Sequence, residues 1–320
     1  MEAIQQKIRE DRPELSASSM KSYLRNIRIL YQKLNDTQQT PTNVDFLSDT
    51  QKVIDLIKDW KLSTKKTYLA SIVVALKAFD SPQSIVEPYS NFMLSAKDEY
   101  NNKKITQKKT PKEAANWATL DELKKVLKLF ASKIRRHSIR HQTELTTSDE
   151  RTLLSYLVLS LYLIDGENHA PRRLEDYASM TIVRGKKAKI PDDDNNYLMV
   201  YSRNNKEFVF QRYKTKHIYK TQRMKVSRKL NTVINLWLKF NNTDDFLPLT
   251  PNALGKLLSS IFVKFMNKKI SVNMIRHIYV SELYKDVPAL TDLRDKASQM
   301  GHTVNEAMGS YVKTQGVHEE

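Results

Sequence analysis

Asn273-Met-Ile-Arg276-His277, followed by Asp292-Leu-Arg-Asp-Lys-Ala-Ser-Gln-Met-Gly-His302 and then Tyr311, is the stretch around which the rest of this 320-residue sequence can be read. Arg276 stands 26 positions before His302, and His302 stands nine before Tyr311. A guanidinium offers a planar fork matched to two phosphate oxygens, an imidazole can donate to another, and a phenol oxygen can attack phosphorus. Taken singly, each residue has a plain structural reading. Met308, Tyr311 and Val312 form a buried helical face, Arg276 pairs on the surface with a carboxylate such as Glu282, and His302 is a structural imidazole. Only their joint register points to chemistry on a phosphodiester.

Composition agrees with an anionic partner. The formal charge is +17, from 53 Lys and Arg against 36 Asp and Glu. Because the positive charge is spread along the chain, it implies a polyanion, and double-stranded DNA is the first choice, since each neutralised phosphate releases condensed counterions. A hydrophobic content of 40% suffices for packed cores. The absence of cysteine excludes disulfides, Cys-ligated zinc and thiol nucleophiles, and points to a reducing interior. The longest apolar run, Leu153 to Ile164, is too short to span a bilayer, and the polar N-terminal segment lacks a signal-peptide core. An intracellular, soluble protein without membrane attachment is expected, with nucleus and cytoplasm both open. Six glycines, at 166, 185, 255, 301, 309 and 316, build neither a dinucleotide turn nor a Walker loop, so no small-molecule cofactor is expected. His137 and His141 share a helical spacing but sit among Arg135, Arg136 and Arg140, which repel a metal ion; no metal site is expected.

Periodicity divides the chain. Residues 1–96 read as helices: Ser16, Ser18 and Ser19 offer N-caps ahead of the face Met20, Tyr23, Leu24, Ile27, Leu30, Tyr31 and Leu34. Val53, Leu56, Ile57 and Trp60 mark a further helix, and Ser63 caps one carrying Tyr68, Ile72, Leu76 and Phe79. Lys65 and Lys66 near its start are solvated or meet phosphate. Residues 97–114 read as a basic linker whose Lys103, Lys104, Lys108 and Lys109 could strap a DNA backbone. Helical pattern resumes at Leu120. Strand-type runs at Tyr197–Tyr201, Phe208–Tyr213 and Arg223–Ser227, separated by turn residues, then interrupt it with a small antiparallel sheet. The expected class is mainly α with that sheet, α+β.

This order, with the Arg276…Gly301-His302…Tyr311 register, resembles the tyrosine recombinases of the phage-integrase family, whose pattern runs roughly HxLRH, DLxxxxxxLGH and a tyrosine nine residues on. The resemblance implies a SAM-like helical core-binding domain over 1–96 and a catalytic domain over 115–320. It also implies a homotetramer on paired DNA sites, and a 3′-phosphotyrosyl intermediate needing neither metal nor ATP. Tyr311 would be the nucleophile, with Arg276 and His302 on the phosphate.

The family also carries an earlier arginine in a pattern close to RxxEL. In Pro171-Arg172-Arg173-Leu174-Glu175-Asp176-Tyr177, Arg173 puts Asp176 at the acidic place and Tyr177 and Met180 at apolar places. Arg172 instead aligns Glu175 but sets Asp176 and Ser179 where apolar residues belong. Arg173 is preferred, Arg172 stays open, and the Pro-Arg-Arg…Asp-Tyr form is similar to integrase-like proteins of large eukaryotic DNA viruses and virophages. The family's lysine acid matches Lys214 in Tyr213-Lys214-Thr215-Lys216, with Lys216 in reserve; both would lie against DNA. Asn273 departs from the family, replacing a proton-exchanging His with an amide that can only hydrogen-bond near neutral pH. A type IB topoisomerase, a telomere resolvase and a binding protein of the same fold remain alternatives.

Overall fold

The computed structural model describes residues 1–105, 107–164, 170–287, 289–299 and 304. His302 and Tyr311 lie outside the described residues, and with them the second half of the motif quoted first. The chain forms two compact units, 109–287 and 1–108, the latter grouped with the segment after 287.

The first unit contains α1 (Glu2–Asp11), α2 (Ala17–Asn35), α3 (Thr50–Ile57), α4 (Leu62–Ala78) and α5 (Gln83–Ile105). Ser16 caps α2 by accepting from the Ser19 amide. Ser63 does not cap α4, which starts one residue earlier at Leu62 behind Lys61. Met20, Ile27 and Leu30 of α2 meet Ile72 and Leu76 of α4, Val53 and Ile57 of α3, and Val86 and Tyr89 of α5 in one buried core. α4 is buried on nearly every side from Ser71 to Leu76, and Ser71 is tolerated there because it accepts from the Asn26 amide at 2.9 Å and donates to the Thr67 carbonyl. The expected linker is largely helical. α5 continues to Ile105, and α6 (Pro111–Asn116) begins behind a Thr110 capping box with proline in its first turn. Pro88 inside α5 does not end the helix either. Polar composition marks solvent exposure, and a solvated helix satisfies it as well as a coil does.

In the second unit, α6 is followed by α7 (Leu120–Arg136), α8 (Thr147–Leu163) and the short α9 (Leu174–Ala178). Then come β1 (Met180–Arg184), β2 (Asn196–Ser202), β3 (Asn205–Phe210), the single turn α10 (Lys216–Tyr219) and β4 (Gln222–Lys225). α11 (Arg228–Phe240), α12 (Pro251–Met266) and α13 (Val272–Leu283) complete it. The sheet order is β1-β2-β3-β4. The two hairpin pairs β2–β3 and β3–β4 are antiparallel, as the alternation predicts, but β1 runs parallel to β2, so the sheet is mixed rather than antiparallel throughout. A parallel neighbour needs a crossover, supplied by residues 185–195. Gly185 opens it at φ +148°, a backbone region closed to most side chains.

Leu198, Phe208 and Phe210 face the main core with α8, while Tyr197, Met199 and Val209 form a small cluster on the other face. α8 is buried all round from Leu157 to Leu163, which explains why its sequence is apolar without a stripe. α14 (Leu290–Gln299), which the sequence reading put in the catalytic domain, groups with the first unit. Its short polar sequence carries no packing signal that would have assigned it to either.

Candidate functional site

Two elements bring arginines together in the second unit. Arg173 is the N-cap residue of α9, and Arg276 lies on α13 between the core residues Ile275 and Ile278. α13 starts at Ser271, whose hydroxyl accepts from the Met274 amide, so its first turn holds Asn273 and its second Arg276. Burial pushes the Arg276 guanidinium below its ordinary value, and the charge of Arg173 pushes it further; Asp176 pulls the other way and Arg172 adds to the depression. Arg276 still carries its charge at neutral pH, because a guanidinium does not deprotonate there. Three guanidiniums therefore share a half-buried place with one carboxylate.

That carboxylate is already engaged. Arg172 Nε donates to Asp176 Oδ2 at 2.7 Å, with side chains 15% and 3% exposed. The same guanidinium lies 3.8 Å from the centre of the Phe210 ring and 5.1 Å from that of Tyr213, and its Nη1 donates to Gln222 Oε1 at 2.7 Å. Arg172 is thus a strut joining α9, the end of β3 and the start of β4. Neither the Arg173 nor the Arg276 guanidinium makes a hydrogen bond among the described residues, so positive charge is left over beside the ion pair. Burial raises the Asp176 carboxyl, and Arg172 counteracts that shift.

Beneath this cluster, Tyr162 of α8 and Tyr177 of α9 stack edge to face at 5.9 Å, and Tyr177 contacts Phe208 and Phe210 in the same way. Burial pushes both phenols well up. The Tyr162 and Tyr177 hydroxyls and Asp176 Oδ1 have no hydrogen-bond partner among the described residues. Buried polar atoms held without partners are uncommon in a core and tend to mark sites where function overrides packing.

The lysine candidates sit in the connection between β3 and β4, which is an eleven-residue loop with one helical turn rather than a tight hairpin. Lys214 is exposed and unpaired among the described residues, next to the Tyr213 ring that packs on Arg172. Lys216 begins α10 and pairs with Asp194 Oδ1 at 2.6 Å. Asn196 fixes this loop to α9. It is 2% exposed, its amide donates to the Asp176 and Arg212 carbonyls, and its oxygen accepts from the Gln211 and Arg212 amides. In sequence, Asn196 ends the turn-forming run Asp192-Asp-Asp-Asn-Asn196, and nothing in its neighbours signals four hydrogen bonds to three residues, Asp176, Gln211 and Arg212.

The other candidates are more scattered. Asn273 is exposed, and His277 beside Arg276 is exposed as well. Lys65 donates to the Lys58 carbonyl and lies 5.4 Å from the Phe92 ring, while Lys66 lies 3.9 Å from the Tyr100 ring. Lys103 and Lys104 fall in the last turn of α5, Lys108 follows it, and Lys109 stands 4.2 Å from the Trp117 ring. Sequence reading missed Lys21, Arg25 and Arg28 of α2, which with Arg9 line a cavity of about 450 Å³ in the first unit. Their i, i+4, i+7 spacing was the available signal. His137 bonds Asp149 Oδ1 at 2.7 Å. No helix among the described residues is long and apolar enough to cross a membrane. The sequence matches no protein-family model and no curated protein.

Proposed function

We propose that the chain is a DNA strand transferase. More particularly, it is a tyrosine recombinase of the integrase type that cuts and rejoins duplex DNA, assembling as a homotetramer on paired sites. The Tyr311 oxygen attacks the scissile phosphorus as its phenol proton passes to solvent, the bond to the 5′ oxygen breaks, and Lys214 supplies the proton that the departing oxygen takes up. A 5′ hydroxyl then attacks the 3′-phosphotyrosyl link and restores the phosphodiester, so no ATP is consumed. Arg173, Arg276 and His302 hold the non-bridging oxygens, and Asn273 adds a neutral donor. The observation that carries this reading is that Arg173 and Arg276, far apart in sequence and both half-buried, lie near enough for the charge of Arg173 to depress the Arg276 guanidinium. The spacing to His302 and Tyr311 supports it from the sequence side.

A nicked duplex that loses its short 5′ fragment on cleavage traps the covalent adduct. The wild-type chain is expected to form the adduct at Tyr311, and Tyr311→Phe to bind the same duplex without forming it. An adduct at Tyr279 or Tyr284, or one retained by Tyr311→Phe, overturns the assignment. Asn273 favours a second reading, a DNA-binding protein of this fold that has given up cleavage. Binding with no adduct from the wild-type chain on any nicked duplex selects that reading.

A further inference from the structure

A second concentration of positive charge in the 109–287 unit has no part in the site above. The tip of the β2–β3 hairpin, one side of α11 from Arg228 to Lys239 and the segment after α7 line a cavity of about 700 Å³. Arg140, Arg203, Arg228 and Lys239 line it, together with Asn231 and Asn235, and among the described residues no carboxylate contributes to its wall. The guanidiniums of Arg140, Arg203 and Arg228 make no hydrogen bond among the described residues. Like charges gathered without counter-charge repel one another, and an anion between them converts that repulsion into attraction.

The cavity is built rather than accidental. Three of its lining residues are braced by the Lys206 ammonium, in a residue 2% exposed, which donates to Asn231 Oδ1 at 2.8 Å, Asn235 Oδ1 at 2.6 Å and the Arg203 carbonyl at 2.6 Å. The Asn231 and Asn235 amides both donate to that same Arg203 carbonyl, at 3.1 and 3.0 Å. The Arg203 carbonyl is therefore held by three donors, two from α11 and one from Lys206 of β3. Across the cavity, Lys239 Nζ donates to the Arg140 and Gln142 carbonyls, fixing the opposite wall. Cationic side chains on a rigid, hydrogen-bonded frame form a preorganised receptor for an oxyanion.

We propose that this cavity is a phosphate-binding site, separate from the Arg173 and Arg276 pair, that takes the oxyanion of a DNA backbone or of a free polyphosphate. It does not require that the chain cleave DNA. The test measures binding of inorganic pyrophosphate and of a 20-base-pair duplex to the full chain, the Arg203→Gln/Arg228→Gln double variant, and a Lys186→Gln/Lys187→Gln control that loses the same charge from an exposed loop.

Losing two charge-assisted contacts should weaken the relevant ligand about tenfold or more in the cavity variant, with little change in the control. Saturable pyrophosphate binding that the cavity variant loses identifies a free polyphosphate as the source. No pyrophosphate binding, with duplex affinity falling far more in the cavity variant than in the control, identifies the DNA backbone. Equal behaviour of the two double variants toward both ligands overturns the proposal. Thr232→Glu, which puts a carboxylate at the exposed rim, serves as an independent check and should mimic the cavity variant.

Discussion

Adjacent arginines in one sequence can have opposite occupations, and Arg172 and Arg173 do. Arg172 is spent on Asp176, Gln222 and two aromatic rings, so removing it leaves Asp176 as a buried charge without its partner. Breaking such a pair costs about 3–5 kcal/mol. Arg172→Ala is therefore expected to lower the denaturation midpoint strongly, and Arg172→Lys to restore little, because an ammonium reproduces neither the fork nor the stacking. The Arg173 guanidinium makes no hydrogen bond among the described residues. Arg173→Ala is expected to change stability by no more than about 0.5 kcal/mol. It should nevertheless raise the cleavage barrier by roughly 3 kcal/mol, the scale of one preorganised donor to transition-state charge. Denaturant melts and single-turnover cleavage of the two variants separate these roles; a stable, inactive Arg172→Ala beside an active Arg173→Ala would reverse them.

At the scale of elements, the β2–β3 hairpin and the loop after β3 each present a lysine in a contrasting setting. Lys214 is exposed in the loop that Asn196 ties to α9. If it protonates the leaving oxygen, a duplex with sulfur at the bridging 5′ position needs no acid. That substrate should restore cleavage to Lys214→Ala far more than to Arg276→Ala. Restoration of Lys216→Ala instead would move the role to the lysine that pairs with Asp194. Lys206 in the hairpin is buried, and burial lowers its pKa to about 8 from 10.5, with Arg203 adding to the effect.

The folded chain then gives up the Lys206 proton more readily than the unfolded one, so over pH 8 to 10.5 the unfolded state binds more protons and this group's contribution to stability rises with pH. Urea midpoints between about pH 7.5 and 9.5 should rise for wild type relative to Lys206→Met. Parallel curves would show that the ammonium is not destabilised by its surroundings.

Over the whole molecule, the basic residues occur in both units, with Arg9, Lys21, Arg25 and Arg28 clustered in one and the two arginine sites in the other. A formal charge of +17 supports many simultaneous phosphate contacts. Binding of Tyr311→Phe to duplex should fall with salt at a log–log slope of about −5 or steeper, since each phosphate neutralised contributes roughly −0.9. A slope near −1 would leave the excess charge without a role in DNA contact.

What the sequence determined by itself was the local and the compositional. The helical faces of α2 and α4 and the strand runs of β2 and β3 follow from side-chain periodicity, and the surplus charge from composition; the spacing of Arg276, His302 and Tyr311 supplied a resemblance, and their joint role stays a proposal. Periodicity records which side of an element meets apolar surroundings, and that is a property of neighbours in the chain. Tertiary structure decided what depends on distant partners. It made β1 parallel to β2, because strand direction is set by the path of the 185–195 crossover. It occupied Arg172 and left Arg173 without a hydrogen bond from its guanidinium among the described residues, because Phe210, Tyr213 and Gln222 come from a distant part of the chain, in β3, the loop after it and β4. It made Asn196 a buried clamp between α9 and the loop after β3, and it drew Arg140, Arg203, Arg228 and Lys239 around one cavity. Electrostatic and hydrogen-bond energies fall off with distance in space, which separation along the chain does not measure.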